Sequence, residues 1–351
     1  MQRSATKRNW KRPVVVIGWI AAGLLLSMLL SAALGDKSIP AETVVRAIFG
    51  IETQGHAIDG IIVRDIRAPR ILTAVLVGAT LAISGAVLQA IFRNALADPG
   101  LIGVSAGGAA GAIVFIVFGS WLIPVSWTLV HELGINLFPM AGGIGVTLFV
   151  YRLALHEGRI HVTTMLLVGL AMNALVGALI GYAVFFSNDD QLRDYTFWSL
   201  GSLARANWNM LSWLAPIIIL IMGALLSYRR QLNLLLLGEY EAVHLGLDVE
   251  KIRRRLILLT ASGVGLTVAL CGMIGFVGLV TPHLCRLLLG PDHRWLLPAS
   301  ALMGAAILVC ADLLARISIQ YSELPVGVLT ATVGAPFFLY LIVRAKRQTS
   351  I

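Results

Sequence analysis

Residues 67–112 read RAPRILTAVLVGATLAISGAVLQAIFRNALADPGLIGVSAGGAAGA, and the way this stretch is punctuated decides the fold. Two apolar runs, Ile71–Phe92 and Leu101–Phe118, flank a polar turn from Arg93 to Gly100. Each run is close to the ~20 residues that a helix needs to cross hydrocarbon. Pro99-Gly100 is a strong helix breaker, so the stretch is expected to form a transmembrane helical hairpin around which the other spans pack. Arg67 and Arg70 stand at its head, and small residues line its second arm.

Outward from that stretch the same composition persists. The 351 residues are 58% hydrophobic and 13% charged, about half the ~25% charge of a soluble domain. The fold class is therefore an all-α polytopic membrane protein, a single transmembrane unit over 1–351, with no stretch left for a separate soluble domain of ~50 residues or more. Cys271, Cys285 and Cys310 all fall in apolar runs without metal or disulfide spacing, and read as small buried hydrophobes. The net charge of +9 is explained by membrane topology rather than by nucleic acid.

Residues 1–13 form a basic tail, expected in the cytoplasm, ahead of the run Val14–Leu34. That run is too long for an ordinary signal-peptide core, so an uncleaved first span is preferred. Further spans are expected at Ile135–Leu155, Val162–Phe186, Met210–Leu226, Leu296–Ile317 and Val326–Val343. Leu256–Cys285 is long for one helix and tight for two. Gly272–Gly275 offers a turn, and two spans put the basic C-terminus (Arg344, Lys346, Arg347) on the same side as the basic tail. Ten spans result. Segment 35–66 is then an outer loop with an amphipathic piece near Thr43–Phe49, 187–208 an outer surface helix, and 228–255 a pair of short helices on the inner face. Nineteen of 27 Lys and Arg residues fall inside; Lys37, Arg46, Arg64, Arg67, Arg70, Arg193, Arg205 and Arg316 lie outside against the rule and need a reason.

Gly103-Val104-Ser105-Ala106-Gly107 matches the G-x-S-x-G nucleophile elbow, which works only on a strand-turn-helix beside a histidine and an acid. Here it opens a membrane helix in which Gly103, Gly107 and Gly111 repeat every four residues, so helix packing is preferred to an intramembrane serine protease with His283 as base. His131-Glu132 lacks the second histidine of a zinc site. None of the five lysines follows a glycine, so the chain has no P-loop of its own. Asp312 and Arg316, four apart, face each other on one helix; a self-satisfied pair and a functional pair are both open. Asn173 lines a pathway or makes a helix–helix hydrogen bond. A secondary transporter would need a buried ion-coupled carboxylate, and Asp312 is the only acid inside a span.

The central stretch resembles the second and third spans of the FecCD-type permeases, the membrane subunits of ABC importers for ferric siderophores, haem and cobalamin. GMIGFVGLVTPHLCRLLLGPDHRWLLPASALMGA and ADLLAR…ELPVGVLTATVGAPFFLYLI resemble that family's C-terminal half. The resemblance implies ten transmembrane helices in the type II ABC importer permease architecture, in the bacterial inner membrane with both termini cytoplasmic. It implies a homodimer, two cytoplasmic ATPases that bind the ATP and magnesium, and a periplasmic substrate-binding protein; no cofactor or metal site is implied in this chain. The outer Arg67, Arg70 and Arg316 match positions that receive glutamates of the binding protein, a contact that sets encounter rate and register. Glu241, Ala242, His244, Leu245 and Gly246 match the ATPase-coupling helices, although the spacing departs from the stricter motif of other importers. Val162, Thr163 and Thr164 resemble the gate segment of the translocation path, with Asn173 further along the same span. The outer segment RDYTFWSLGSLAR is closer to iron-chelate and haem members than to cobalamin ones, so the expected cargo is haem or a ferric siderophore, with cobalamin as the alternative.

Overall fold

A computed structural model describes residues 11–51, 57–122, 127–319 and 323–349, and among them regular structure is helical except for one two-residue hairpin. Most of the tail expected at 1–13, and the side chains of His131 and Glu132, lie outside the described residues. The helices are α1 (Lys11–Ala33), α2 (Ala41–Ile48), α3 (Ala57–Ile61), α4 (Ala68–Ile91), α5 (Val104–Leu122), α6 (Thr128–Ala154), α7 (Val162–Phe185) and α8 (Asp189–Ser199). They continue as α9 (Trp208–Ser227), α10 (Arg229–Leu237), α11 (Glu239–His244), α12 (Val249–Cys271), α13 (Val277–Leu289), α14 (His293–Ile317) and α15 (Val326–Thr349). Among the described residues seven helical runs are long and apolar enough to cross a membrane, and three shorter apolar ones, 104–119, 277–289 and 326–340, accompany them. The end bearing residues 155–161 and 228–248 is called basal; the end bearing 34–67, 187–207 and 323–325 is apical.

The boundaries follow local chemistry. A π-helical turn, Ile62–Arg67, joins α3 to α4, so Ile58–Ile91 forms one helical run. Pro69 lacks an N–H and its ring crowds the carbonyl one turn back, and widening that turn relieves the clash. After α4, the Asp98 carboxylate accepts from Gly100 N at 2.8 Å and caps a 3₁₀ turn, Pro99–Ile102. Gly103, at φ +85°, turns the chain into α5. The surface helix α8 opens with a reciprocal capping box between Asn188 and Gln191. The break expected at Gly272–Gly275 is present, with Gly272 and Phe276 both in left-handed backbone between α12 and α13.

The two arms of 67–112 do not form a packed hairpin, which corrects the expectation. α4 runs along α14 and also touches α9, α12 and α13, whereas α5 packs on α6 and α7. Small residues decide those partners. A Cβ on Gly78 would sit 2.3 Å from the Gly304 carbonyl of α14, and one on Gly85 1.8 Å from that of Gly278 on α13. On α5, a Cβ on Gly107 would meet Gly142 O at 2.2 Å, and one on Gly111 would meet Phe138 O at 2.1 Å, both on α6. Lipid tails are as apolar as leucine, so backbone approach of this kind, rather than hydrophobicity, selects neighbours in a membrane. α4 is thereby the central post, with 83% of its apolar window buried, against 17% for α7. The serine elbow is part of this packing face. Segment 228–255 is also redrawn: α10 and α11 are the two short helices, but 249–255 are the first two turns of α12.

Candidate transport sites

Three features built from polar residues stand out. The first is an apical cluster of buried arginines. Arg70, at the start of α4, donates Nε and Nη2 to Asp312 of α14 at 2.8–3.0 Å and Nη1 to Glu323 at 2.9 Å. Arg316 Nε lies 3.2 Å from the same Asp312 carboxylate, and Arg316 Nη2 donates to Ser31 O at 3.0 Å. Arg67 donates Nη1 to Ala32 O at 2.6 Å and Nη2 to Lys37 O. Residues 31–34 end α1, whose last carbonyls have no partner within the helix, so two guanidiniums satisfy them and complement the negative end of its dipole. Arg67, Arg70 and Arg316, three of the basic residues that ran against the charge rule, are therefore held by the fold. Their donors point into the chain, not outward as docking positions would suggest. Asp312 is 1% exposed at its side chain and Glu323 39%, so only the second of Arg70's partners is within reach of anything else.

The second feature is an apical cavity of about 560 Å³ beside Trp198, Arg205, Asn207 and Glu323. Its floor is a knot of backbone. Ser202 N donates to Cys271 O at 2.8 Å, closing the end of α12, and Gly327 N at the start of α15 reaches Gly201 O at 3.4 Å. A Cβ on Gly272 would lie 2.1 Å from Trp198 O, and one on Gly201 2.3 Å from Met273 O. The 187–207 segment, the α12–α13 break and α15 thus meet at one point. Tyr195 of α8 packs on Trp198, and burial there pushes its phenol above the usual tyrosine range.

The third feature is basal. Gly238, at φ +128°, separates α10 from α11, and Gly246, at φ +83° with open space around it, ends the segment. Tyr240 and Val243 are exposed on a helix too short and polar to enter a membrane, Leu245 is exposed at its C-cap, and Glu241 and His244 share that surface. Ala242, expected to face a partner, is instead fully buried and seats α11 on its own chain. Behind it, Arg253 of α12 is almost fully buried and bonds Glu239 of α11 and, at 2.6 Å, Glu250. Glu250 in turn accepts from Ile160 N at 3.1 Å. Ile160 belongs to the hairpin β1 (Leu155–His156) and β2 (Arg159–Ile160), whose turn residues Glu157 and Gly158 both have positive φ, as a tight hairpin needs. The basic turn at 152–161 hid this hairpin in the sequence; Glu157-Gly158 was its signal.

Val162, Thr163 and Thr164 follow directly as the first turn of α7, with Val162 half-buried and both threonines exposed. Asn173, about three turns further, donates Nδ2 to Gly100 O at 3.4 Å, which is the helix-contact alternative. Ser105 lines a small crevice with Asp98 and Thr267 and, among the described residues, has neither a histidine nor an acid hydrogen-bonded to it.

Comparison with known proteins gives a consistent result. Residues 23–344 match the FecCD transport family. The hemin transport system permease protein HmuU of Yersinia pestis is 42% identical over 331 residues, 93% of this chain and 96% of that protein. The vitamin B12 import system permease protein BtuC of Escherichia coli O9:H4 is 43% identical over 285 residues, 81% of this chain and 84% of that one. A solved metal-chelate-type ABC transporter in an inward-facing conformation superposes with a TM-score of 0.82 at 34% identity, covering 95% of this chain and 99% of the other. Helix packing, sequence and fold agree, and the chain belongs to the FecCD transport family.

Proposed function

We propose that this chain is one copy of a homodimeric ABC importer permease in a bacterial inner membrane, moving haem or a ferric siderophore from periplasm to cytoplasm. Seven long and three shorter helices supply ten spans, with the basal end cytoplasmic together with both termini, and the apical end periplasmic. Two ATPase subunits holding ATP and magnesium engage the exposed Glu241, His244, Leu245 and Gly246, and a periplasmic binding protein covers the apical end. The cargo assignment is carried by the hemin permease similarity, which extends over 96% of that protein's length. Nothing in Asp312 favours an ion-coupled carrier, since its carboxylate is already taken by Arg70 and Arg316.

Docking on Arg67, Arg70 and Arg316 then works by exchange. Asp312 stays in place, and Glu323, the exposed partner, is the group that a glutamate of the binding protein replaces on Arg70. A second cargo, cobalamin, has the support of a 43% identical vitamin B12 permease. Uptake into proteoliposomes carrying the permease with its own ATPase and binding protein separates the two. ATP-dependent accumulation of haem or a ferric siderophore is expected; accumulation of cobalamin alone would move the assignment to the second cargo, and uptake indifferent to ATP would overturn the importer reading.

A further inference from the structure

The basal hydrogen bonds form an unbroken path between two segments that a transporter has to move together. α11 offers its apolar and acidic surface outward, while its first residue, Glu239, turns to Arg253. Arg253 spends its other donor on Glu250, and Glu250 holds the backbone of Ile160, two residues before the first turn of α7. The three side chains belong to α11 and to the first two turns of α12, and the accepted N–H belongs to a hairpin with only two residues per strand. α11 is six residues long and the hairpin has two residues per strand; each sets one small anchor in the core, Ala242 and Ile160, and these bonds tie the two polar faces to one another. Arg253 is 4% exposed at its side chain, and a guanidinium so placed cannot lose a carboxylate to water without leaving a buried charge. A displacement of Glu239 therefore drags Arg253, and with it Glu250 and the Ile160 backbone.

We propose that Glu239, Arg253 and Glu250 are positioning residues that transmit movement of α11, pushed by the ATPase, to the 159–164 segment at the entrance of α7. The proposal rests on the assignment of α11 to the ATPase and of 162–164 to the gate, and it adds the physical connection between them. A connected element with two arrangements is what carries coupling between sites; proximity alone does not. The residues contact neither cargo nor nucleotide, so substitution is expected to alter the link and not the affinities.

The experiment uses the assembled transporter with its own ATPase and binding protein in proteoliposomes. A Thr163→Cys reporter is placed in a Cys310→Ser background, because Cys310 is the exposed native thiol. Its labelling rate by a water-soluble thiol reagent is measured without nucleotide and after nucleotide trapping. In the parent the two rates are expected to differ. Glu239→Gln, isosteric and at a half-exposed position, and Glu250→Ala, which removes the acceptor of Ile160 N, are each expected to shrink that difference about tenfold while ATP hydrolysis continues. The double variant is expected to shrink it no further than the larger single change, since both break one path. Arg253→Lys, which keeps the charge, is expected to retain part of the difference. Unchanged nucleotide dependence in both single variants, or effects that multiply in the double, would overturn the link. A parent whose Thr163→Cys labelling ignores nucleotide would overturn the gate assignment itself, and the link with it.

Discussion

Two buried arginine clusters sit at opposite ends of this molecule and use the same chemistry for different ends. The apical one joins α4, α14 and the end of α1, long helices of which α14 packs along both of the others. Its central carboxylate, Asp312, is shared by two guanidiniums and is 1% exposed. The basal one joins a six-residue helix, the start of α12 and a two-residue hairpin. Where the joined elements already have packed faces, an ion cluster adds rigidity to a frame. Where each element sets only a small anchor in the core, Ala242 for α11 and Ile160 for the hairpin, the same bonds are a polar tie through which movement of one piece is passed to the other.

The largest expected effect is at the frame. Asp312→Ala leaves two buried guanidiniums facing one another without their shared counter-ion, and breaking a buried pair in this way costs roughly 3–5 kcal/mol. Thermal unfolding of the detergent-solubilised permease should show a large fall in midpoint, and Asp312→Asn, which keeps hydrogen-bond acceptance, a smaller one. A midpoint unmoved by Asp312→Ala would remove the contrast between the two clusters.

At the basal end, Gly246→Val forces a β-branched residue to φ +83°, a strain of about 1–2 kcal/mol. No neighbouring atom blocks the side chain, so the expected result is normal membrane insertion with reduced transport and reduced transport-linked ATPase stimulation. Unchanged values of both would detach this segment from the ATPase. Glu323→Gln should act more gently. Freed from one charged competitor, Arg70 is expected to bind the binding protein a few-fold more tightly, with a salt dependence greater than that of the parent. Weaker association in low salt would mean that Glu323 is not the exchanged group. Smallest of all is Ser105→Ala, for which ATP-driven uptake should be nearly unaltered because the serine elbow serves helix contact; loss of uptake would return the serine to a functional role.

Much of this was legible in the sequence, and the misses have common physical causes. The apolar runs and the Gly272 break were readable because they depend on length and on residues that cannot continue a helix. The partner of each run was not. Which glycine meets which carbonyl, Gly78 with Gly304 or Gly107 with Gly142, is a matter of three-dimensional fit between distant segments, and adjacency along the chain wrongly suggested that α4 and α5 would pair. The same holds for charge. Asp312 and Arg316 announce themselves at a spacing of four, but the stronger partner of Asp312 is Arg70, 242 residues away. The basal path was invisible because it ends on a backbone N–H, which no residue type marks.

Transport per ATP hydrolysed, measured on equal amounts of folded permease for Glu239→Gln and Asp312→Asn side by side, tests the division of labour most directly. The account predicts that the ratio falls in Glu239→Gln and is preserved in Asp312→Asn even where the latter is less stable. A ratio that falls equally in both, or in Asp312→Asn alone, would contradict it.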